Sequence, residues 1–269
     1  MKPILHHYDM PPGVQAFSTT RQGGCSTGHY AQFNINRYCG DDETHTALNR
    51  EALCQLLGID ADHLVMPHQN HGTRVARIDE AFLSSPSAER QAALEGVDAL
   101  MTNVRGVCIG VSTADCIPLL LYDPRHHAVC AVHAGWRGTL ARIAEKAVAA
   151  MTEAYGSHPS EIVAQIGPGI GLDSFEVGEE VYDAFATAGF QMTSLCRRYP
   201  SSADPQAEKW HIDLPECNRQ QLVGSGLQPD RIALCGICTY QSCDRFFSAR
   251  RLGIHSGRIF TAILIEEKK

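Results

Sequence analysis

Long apolar runs are missing from this chain. No stretch of the 269 residues approaches the ~18 consecutive apolar residues of a membrane-crossing helix. The longest, such as Ile117 to Tyr122, are short. The start, Met1-Lys2-Pro3-Ile4-Leu5-His6-His7, lacks the apolar core of a secretory signal. A cytoplasmic protein with no membrane partner is expected. Basic blocks are missing too. With 23 Lys and Arg against 30 Asp and Glu, the net charge is −7, which offers no footprint for nucleic acid. Local arginines still suffice for an anion pocket. Internal repeats and low-complexity tracts are absent as well. The two stretches most like linkers, Ser84 to Glu89 and Tyr199 to Gln206, do not separate self-sufficient halves. One domain over residues 1–269 is expected.

Cysteine, by contrast, is plentiful. The 11 thiols are odd in number and follow no secretion signal, so a disulfide framework is not expected. Most should be buried as small apolar side chains. Val107 to Ser112, Ile117 to Tyr122, His127 to His133, Ile162 to Ile166, Arg231 to Leu234 and Arg258 to Ile265 read as strands. Thr139 to Tyr155, Glu176 to Ala186 and Pro215 to Gly224 read as helices. Several strands follow one another directly. The fold class is therefore α/β, a single domain of mixed sheets covered by helices rather than a purely parallel sheet.

Three segments carry chemistry. His68-Gln69-Asn70-His71-Gly72 is flanked by Pro67 and by its own glycine, so it reads as a loop. Thr113-Ala114-Asp115-Cys116-Ile117-Pro118 interrupts two apolar strands with polar residues. Such an interruption is costly unless the polar groups have partners, which points to a site at a strand end. Val132-His133-Ala134-Gly135-Trp136-Arg137-Gly138 ends an apolar strand in small residues that let a ligand approach. A helix beginning near Gly138 and Thr139 would present N–H groups to an anion there. Read singly, each segment also fits ordinary packing or a surface histidine. Cys235-Gly236-Ile237-Cys238 lacks the second pair a structural zinc would need. Gly167-Pro168-Gly169-Ile170-Gly171 lacks dinucleotide-fingerprint spacing.

Taken in order, the segments resemble the multicopper polyphenol oxidase (laccase-domain) family, whose members are also described as purine nucleoside phosphorylases and peptidoglycan editing factors. The resemblance extends to Ser18-Thr19-Thr20-Arg21-Gln22-Gly23-Gly24, to Ile166-Gly167-Pro168-Gly169-Ile170 and to Phe246-Phe247-Ser248-Ala249-Arg250-Arg251. It departs at Ala249, at Leu252 and at Asn36-Arg37. It implies an α+β sandwich related to cysteine-dependent deamidating toxins. It also implies one zinc ion held by His71, Cys116 and His133, with a fourth position left open. Copper can enter such a site, since affinity rises towards Cu²⁺. A multicopper cluster is not expected, because none of the 13 histidines forms a His-x-His pair.

The function implied is phosphorolysis of adenosine, inosine and methylthioadenosine, with adenosine deamination beside it. Cys116, His133 and Asp115 are the catalytic candidates, Asp115 as a proton shuttle or as a buttress for a ligand. Arg37, Arg50, Arg137, Arg245 and Arg250 are the candidates for holding phosphate. The alternative is a cysteine- or zinc-dependent amide hydrolase editing peptidoglycan precursors; in the cysteine form Cys116 is the nucleophile and His133 its base. Copper polyphenol oxidation is a third and weaker reading.

Overall fold

The computed structural model describes residues 1–204 and 206–267. In chain order the strands begin with β1 (Leu5–His7), β2 (Val14–Thr19), β3 (Leu64–Val65), β4 (Val75–Arg77) and β5 (Ala99–Thr102). The central ones are β6 (Cys108–Thr113), β7 (Ile117–Asp123), β8 (Ala128–Ala134) and β9 (Val163–Ile166). Then come β10 (Glu176–Val177), β11 (Cys196–Pro200), β12 (Glu208–Ile212), β13 (Ile232–Leu234) and β14 (Ile259–Ile265). The helices are α1 (Glu43–Leu57), α2 (Glu80–Ser84), α3 (Ser87–Ala93), α4 (Trp136–Leu140) and α5 (Ile143–Tyr155). They continue with α6 (Glu179–Thr187), α7 (Met192–Leu195), α8 (Leu214–Gly224) and α9 (Ala249–Leu252).

The strands form two large mixed sheets and one small one. The first runs β1-β2-β14-β6-β3, the second β13-β9-β7-β8-β5-β4, and the third β10-β12-β11. Strand periodicity shows how they stack. On β7, Ile117, Leu119 and Leu121 pack with Ala144, Val148 and Met151 of α5. The alternate residues Leu120 and Tyr122 pack with Ile109 and Val111 of β6 and Ile263 of β14. The other face of the first sheet, with Phe17, Phe260 and Leu264, is covered by Leu53 and Cys54 of α1. The molecule is therefore a sandwich of two sheets with helices outside each.

This stacking fixes where the chemistry sits. The chain leaves the first sheet at Thr113 and enters the second at Ile117. The crossing is the three-residue bend Ala114-Asp115-Cys116, with Asp115 at φ 85°. Antiparallel register then sets His133 opposite Pro118. The two-residue period places His133 with Val129 and Ala131, on the face turned towards the first sheet. Cys116 and His133 thus meet at one end of the layer between the sheets.

Several expectations need correction. Thr139 to Tyr155 is not one helix: α4 starts at Trp136, and the chain breaks at Arg142, whose φ is 64°. The Thr139 N–H is taken by the Gly135 carbonyl at 2.8 Å, so it is not one of the helix-start donors expected there. The helix expected from Glu176 starts at Glu179, because Glu176 and Val177 pair with β12. Ser84 to Glu89 is no linker, since Ser85 and Pro86 alone separate α2 from α3. Tyr199 and Pro200 end β11, and Pro205 lies outside the described residues. All 11 cysteines are free. Among the described residues no helix is long and apolar enough to cross a membrane.

Candidate metal centre

Donor atoms of His71, Cys116 and His133 all lie within 4.8 Å of one another. Among the described residues this is the one such group of His, Cys, Asp or Glu side chains. The two imidazole rings stand nearly edge-on, 4.8 Å between centroids and 73° apart. His133 is buried, Cys116 is half-buried and His71 is exposed. The site is closed towards the core and open towards solvent, as three ligands with a vacant fourth position require. A thiolate and two imidazoles are also a donor set that suits zinc.

Asp98, which sequence reasoning missed, organises this centre. It is fully buried. Its Oδ1 accepts from His133 Nδ1 at 2.7 Å, which leaves Nε2 as the nitrogen free to bind a metal. The same carboxylate accepts from the backbone N–H of His71 at 3.0 Å and of Gly72 at 2.7 Å. One acid therefore sets the ring of one ligand and the backbone of another. His71 sits at φ 64°, a conformation side-chain-bearing residues rarely adopt, and these bonds hold it there. The signal was present in the sequence. An acid within Val97-Asp98-Ala99-Leu100 is a charge in a buried strand entry, and such a charge needs partners.

The electrostatics single out one thiol. Burial pushes the Cys108, Cys130 and Cys217 thiols up, so they are inert packing. Burial also pushes Cys116 up, but the His133 charge and hydrogen bonds from His133 and His71 outweigh it and bring it down to about 6. Burial pushes His133 down, but the Cys116 and Asp98 charges and hydrogen bonds outweigh it and raise it to about 9. Without metal, the pair between about 6 and about 9 is thiolate and imidazolium. A metal taking the imidazole nitrogen must expel that proton. Zinc binding near neutral pH should therefore release one proton from this pair and tighten about tenfold per pH unit across the window. Calorimetric titrations in buffers of different ionisation enthalpy check this. Heats independent of the buffer would contradict it.

Gly135 leaves room for the ligands. A Cβ there would stand 2.9 Å from Cys116 Sγ and 3.0 Å from His71 Cδ2. Its backbone, at φ −68°, is ordinary, so only the close approach demands glycine. Gly135→Ala should weaken zinc binding about tenfold or more, as displaced ligands do, while melting stays near wild type. Unchanged zinc affinity would show that the ligands have slack.

The remaining candidates are dispersed. The Asp115 carboxylate accepts from Thr239 Oγ1 at 2.7 Å and from the Arg250 backbone N–H at 2.6 Å. It ties the C-terminal segment to the Cys116 bend, which favours the buttress reading over a proton shuttle. The Arg250 guanidinium turns to the carbonyls of Ser174 and Glu176. Arg245 lies over Phe246. Arg37 and Arg50 line a cleft whose walls include none of His71, Cys116 and His133. Arg137, four residues beyond His133, lies exposed over Trp136 at 4.2 Å.

Residues 15–266 match the family model described as multi-copper polyphenol oxidoreductase laccase. The chain belongs to that family. Within it, a Bacteroides thetaiotaomicron protein named purine nucleoside phosphorylase is 46% identical over 254 residues, 94% of this chain and 92% of that one. A protein from an unknown prokaryotic organism, named adenosine deaminase RL5, is 45% identical over 251 residues, 93% of this chain and 94% of that one. The crystal structure of YlmD from Geobacillus stearothermophilus superposes with a TM-score of 0.86 at 31% identity, covering 96% of this chain and 94% of that one. The sandwich expected from the laccase-family resemblance is thus the fold observed.

Proposed function

We propose that the chain is a zinc-dependent purine nucleoside enzyme, which cleaves adenosine, inosine and methylthioadenosine with phosphate and deaminates adenosine. The observation that carries this reading is the convergence of His71, Cys116 and His133 at a solvent-open edge, with His133 oriented by Asp98. The names of the two relatives, a phosphorylase and a deaminase, supply the substrate class. A single converging group supports one ion rather than a copper cluster. A zinc ion held there supplies Lewis-acid activation of water or of a substrate oxygen at neutral pH. In phosphorolysis a phosphate oxygen bonds to ribose C1′ as the bond from C1′ to the base nitrogen breaks, and the base leaves with a proton. In deamination, water oxygen replaces the C6 amino group and ammonia leaves. Arg137 is the best-placed guanidinium to hold phosphate: it is exposed, close to the ligands along the chain and engaged in no ion pair among the described residues. Eleven free thiols fit a reducing, cytoplasmic setting.

The test is product analysis of adenosine with phosphate. Adenine with ribose 1-phosphate is expected, with inosine as the deamination product. Arg137→Gln should raise the KM for phosphate about tenfold, as loss of a charge-assisted contact does, and leave deamination near wild type. Neither product from zinc-loaded protein would refute the reading.

A second reading is favoured by one observation. Asp98, His133 and Cys116 form an acid–imidazole–thiol series, the arrangement a cysteine amide hydrolase uses. Chelation separates the two. Activity that survives metal removal and dies on thiol alkylation belongs to the hydrolase.

A further inference from the structure

A cleft of about 710 Å³ opens between α1, the end of β3 and the pair α2 and α3. That is the size of a small-molecule site, roughly 300–1,000 Å³. Its apolar wall includes Ile35, Leu64, Met66 and Leu94. Three arginines line it; Arg90 is paired with Asp62, which leaves Arg37 and Arg50 as the cations without a carboxylate partner among the described residues. Arg50 reaches in from α1 and gives Nη2 to the carbonyls of Ala61 and Leu64. Its other nitrogens have no protein acceptor among the described residues. Arg37 is steadied by Tyr38 Oη at 2.9 Å, and its Nη atoms lie 2.8 and 3.2 Å from the Gln91 side-chain amide.

Neither arginine forms an ion pair among the described residues. Two carboxylates do line the cleft. Asp62 is taken by Arg90 at 2.8 Å, and Glu43 stands in the first turn of α1. Burial holds Arg50 below its ordinary value, and the Arg37 charge pushes the same way. Two like charges turned to one partly desolvated cleft repel each other. An anion between them removes that repulsion. A dianionic phosphate matches two guanidinium groups in charge and offers three oxygens to their forked donors, where a carboxylate offers one charge and two oxygens. The apolar wall asks for an organic body attached to it.

We propose that this cleft is a second binding site, distinct from the metal centre, for an organic phosphomonoester. The phosphate lies between Arg37 and Arg50, and the organic body lies on the Leu64 and Leu94 side. The inference stands apart from the nucleoside reading, since it concerns binding and not turnover.

The test is calorimetric titration of the full chain with phenyl phosphate, inorganic phosphate and benzoate. Saturable binding of phenyl phosphate is expected, at least about tenfold tighter than either of the others. It should persist in Cys116→Ala, whose metal centre is disabled. Arg37→Gln and Arg50→Gln should each weaken it about tenfold or more. Arg37 is exposed, so Arg37→Gln decides even if Arg50→Gln fails to fold. The proposal is overturned by absent saturation, by benzoate or inorganic phosphate binding as tightly, by binding that Arg37→Gln leaves unchanged, or by binding lost in Cys116→Ala.

Discussion

Cys116→Ala is expected to strip the metal from this protein and abolish turnover on nucleosides. Removing a group that merely holds a ligand typically costs about 10–100-fold in metal affinity or activity. Removing a ligand itself must cost more, and we expect more than about a thousandfold in turnover. Geometry makes the loss specific. Cys116 lies on the bend between β6 and β7, and the tight neighbour of its Sγ is Gly135, whose missing side chain makes the room. Alanine fits that space, so the sandwich should fold and melt near wild type. Zinc content by mass spectrometry, circular dichroism and product analysis on one preparation decide the matter. A folded Cys116→Ala protein that keeps one zinc per chain and full activity would remove Cys116 from the site.

The three residues that converge at the candidate site could be read from the chain. Cys116 betrays itself because polar residues break two apolar runs, and His133 because an apolar strand ends on it. Both signals reduce to one physical fact, that buried polar groups need partners. His71 follows from Pro67 and Gly72, which force a loop. Joining the three took the ordered resemblance, because the sequence carries no direct record of which strand end faces which loop. The register of β7 on β8 supplies that record.

The fold was legible where hydrophobic periodicity is strong and opaque where a single residue decides. β6, β7, β8 and β14 lie within a residue or two of their apolar runs. The break between α4 and α5 rests on Arg142 at φ 64°, a conformation arginine seldom adopts, so no sequence rule announces it. The arginines are hard to read from sequence for a different reason. A guanidinium near a motif in sequence can turn to backbone carbonyls, as Arg250 does, or into another cleft, as Arg37 and Arg50 do. Charge pattern alone does not distinguish these outcomes.

Asp98→Ala is expected to reach or pass the upper end of what loss of a supporting group costs, because it acts through two positions at once. It removes the acceptor of His133 Nδ1, freeing that ring to turn or change tautomer. It also removes the acceptor that holds the N–H groups of His71 and Gly72, and with it the reason for His71 to stay at φ 64°. A strained conformation of this kind costs on the order of 1–3 kcal/mol and persists only when its surroundings impose it. Zinc affinity should fall about a hundredfold or more, each misplaced ligand adding its share. Stability should fall by about 3–5 kcal/mol, since buried donors lose a charged partner. The pH dependence follows. Burial pushes Asp98 up, but the His133 hydrogen bond and charge, with the Gly72 and Asn70 backbone N–H groups, hold it below its ordinary 3.8. A carboxylate held low stabilises the fold above its unfolded value and loses that contribution as pH falls through the folded one. The gap between wild type and Asp98→Ala should therefore be full at neutral pH and narrow as pH drops below about 4. Asp98→Asn keeps the volume but turns an amide N–H₂ towards donors, so it should fold better than Asp98→Ala and bind zinc hardly better. Urea titrations across pH and zinc titrations of the three proteins test this. Wild-type zinc affinity in Asp98→Ala would leave the ligands positioned by packing alone.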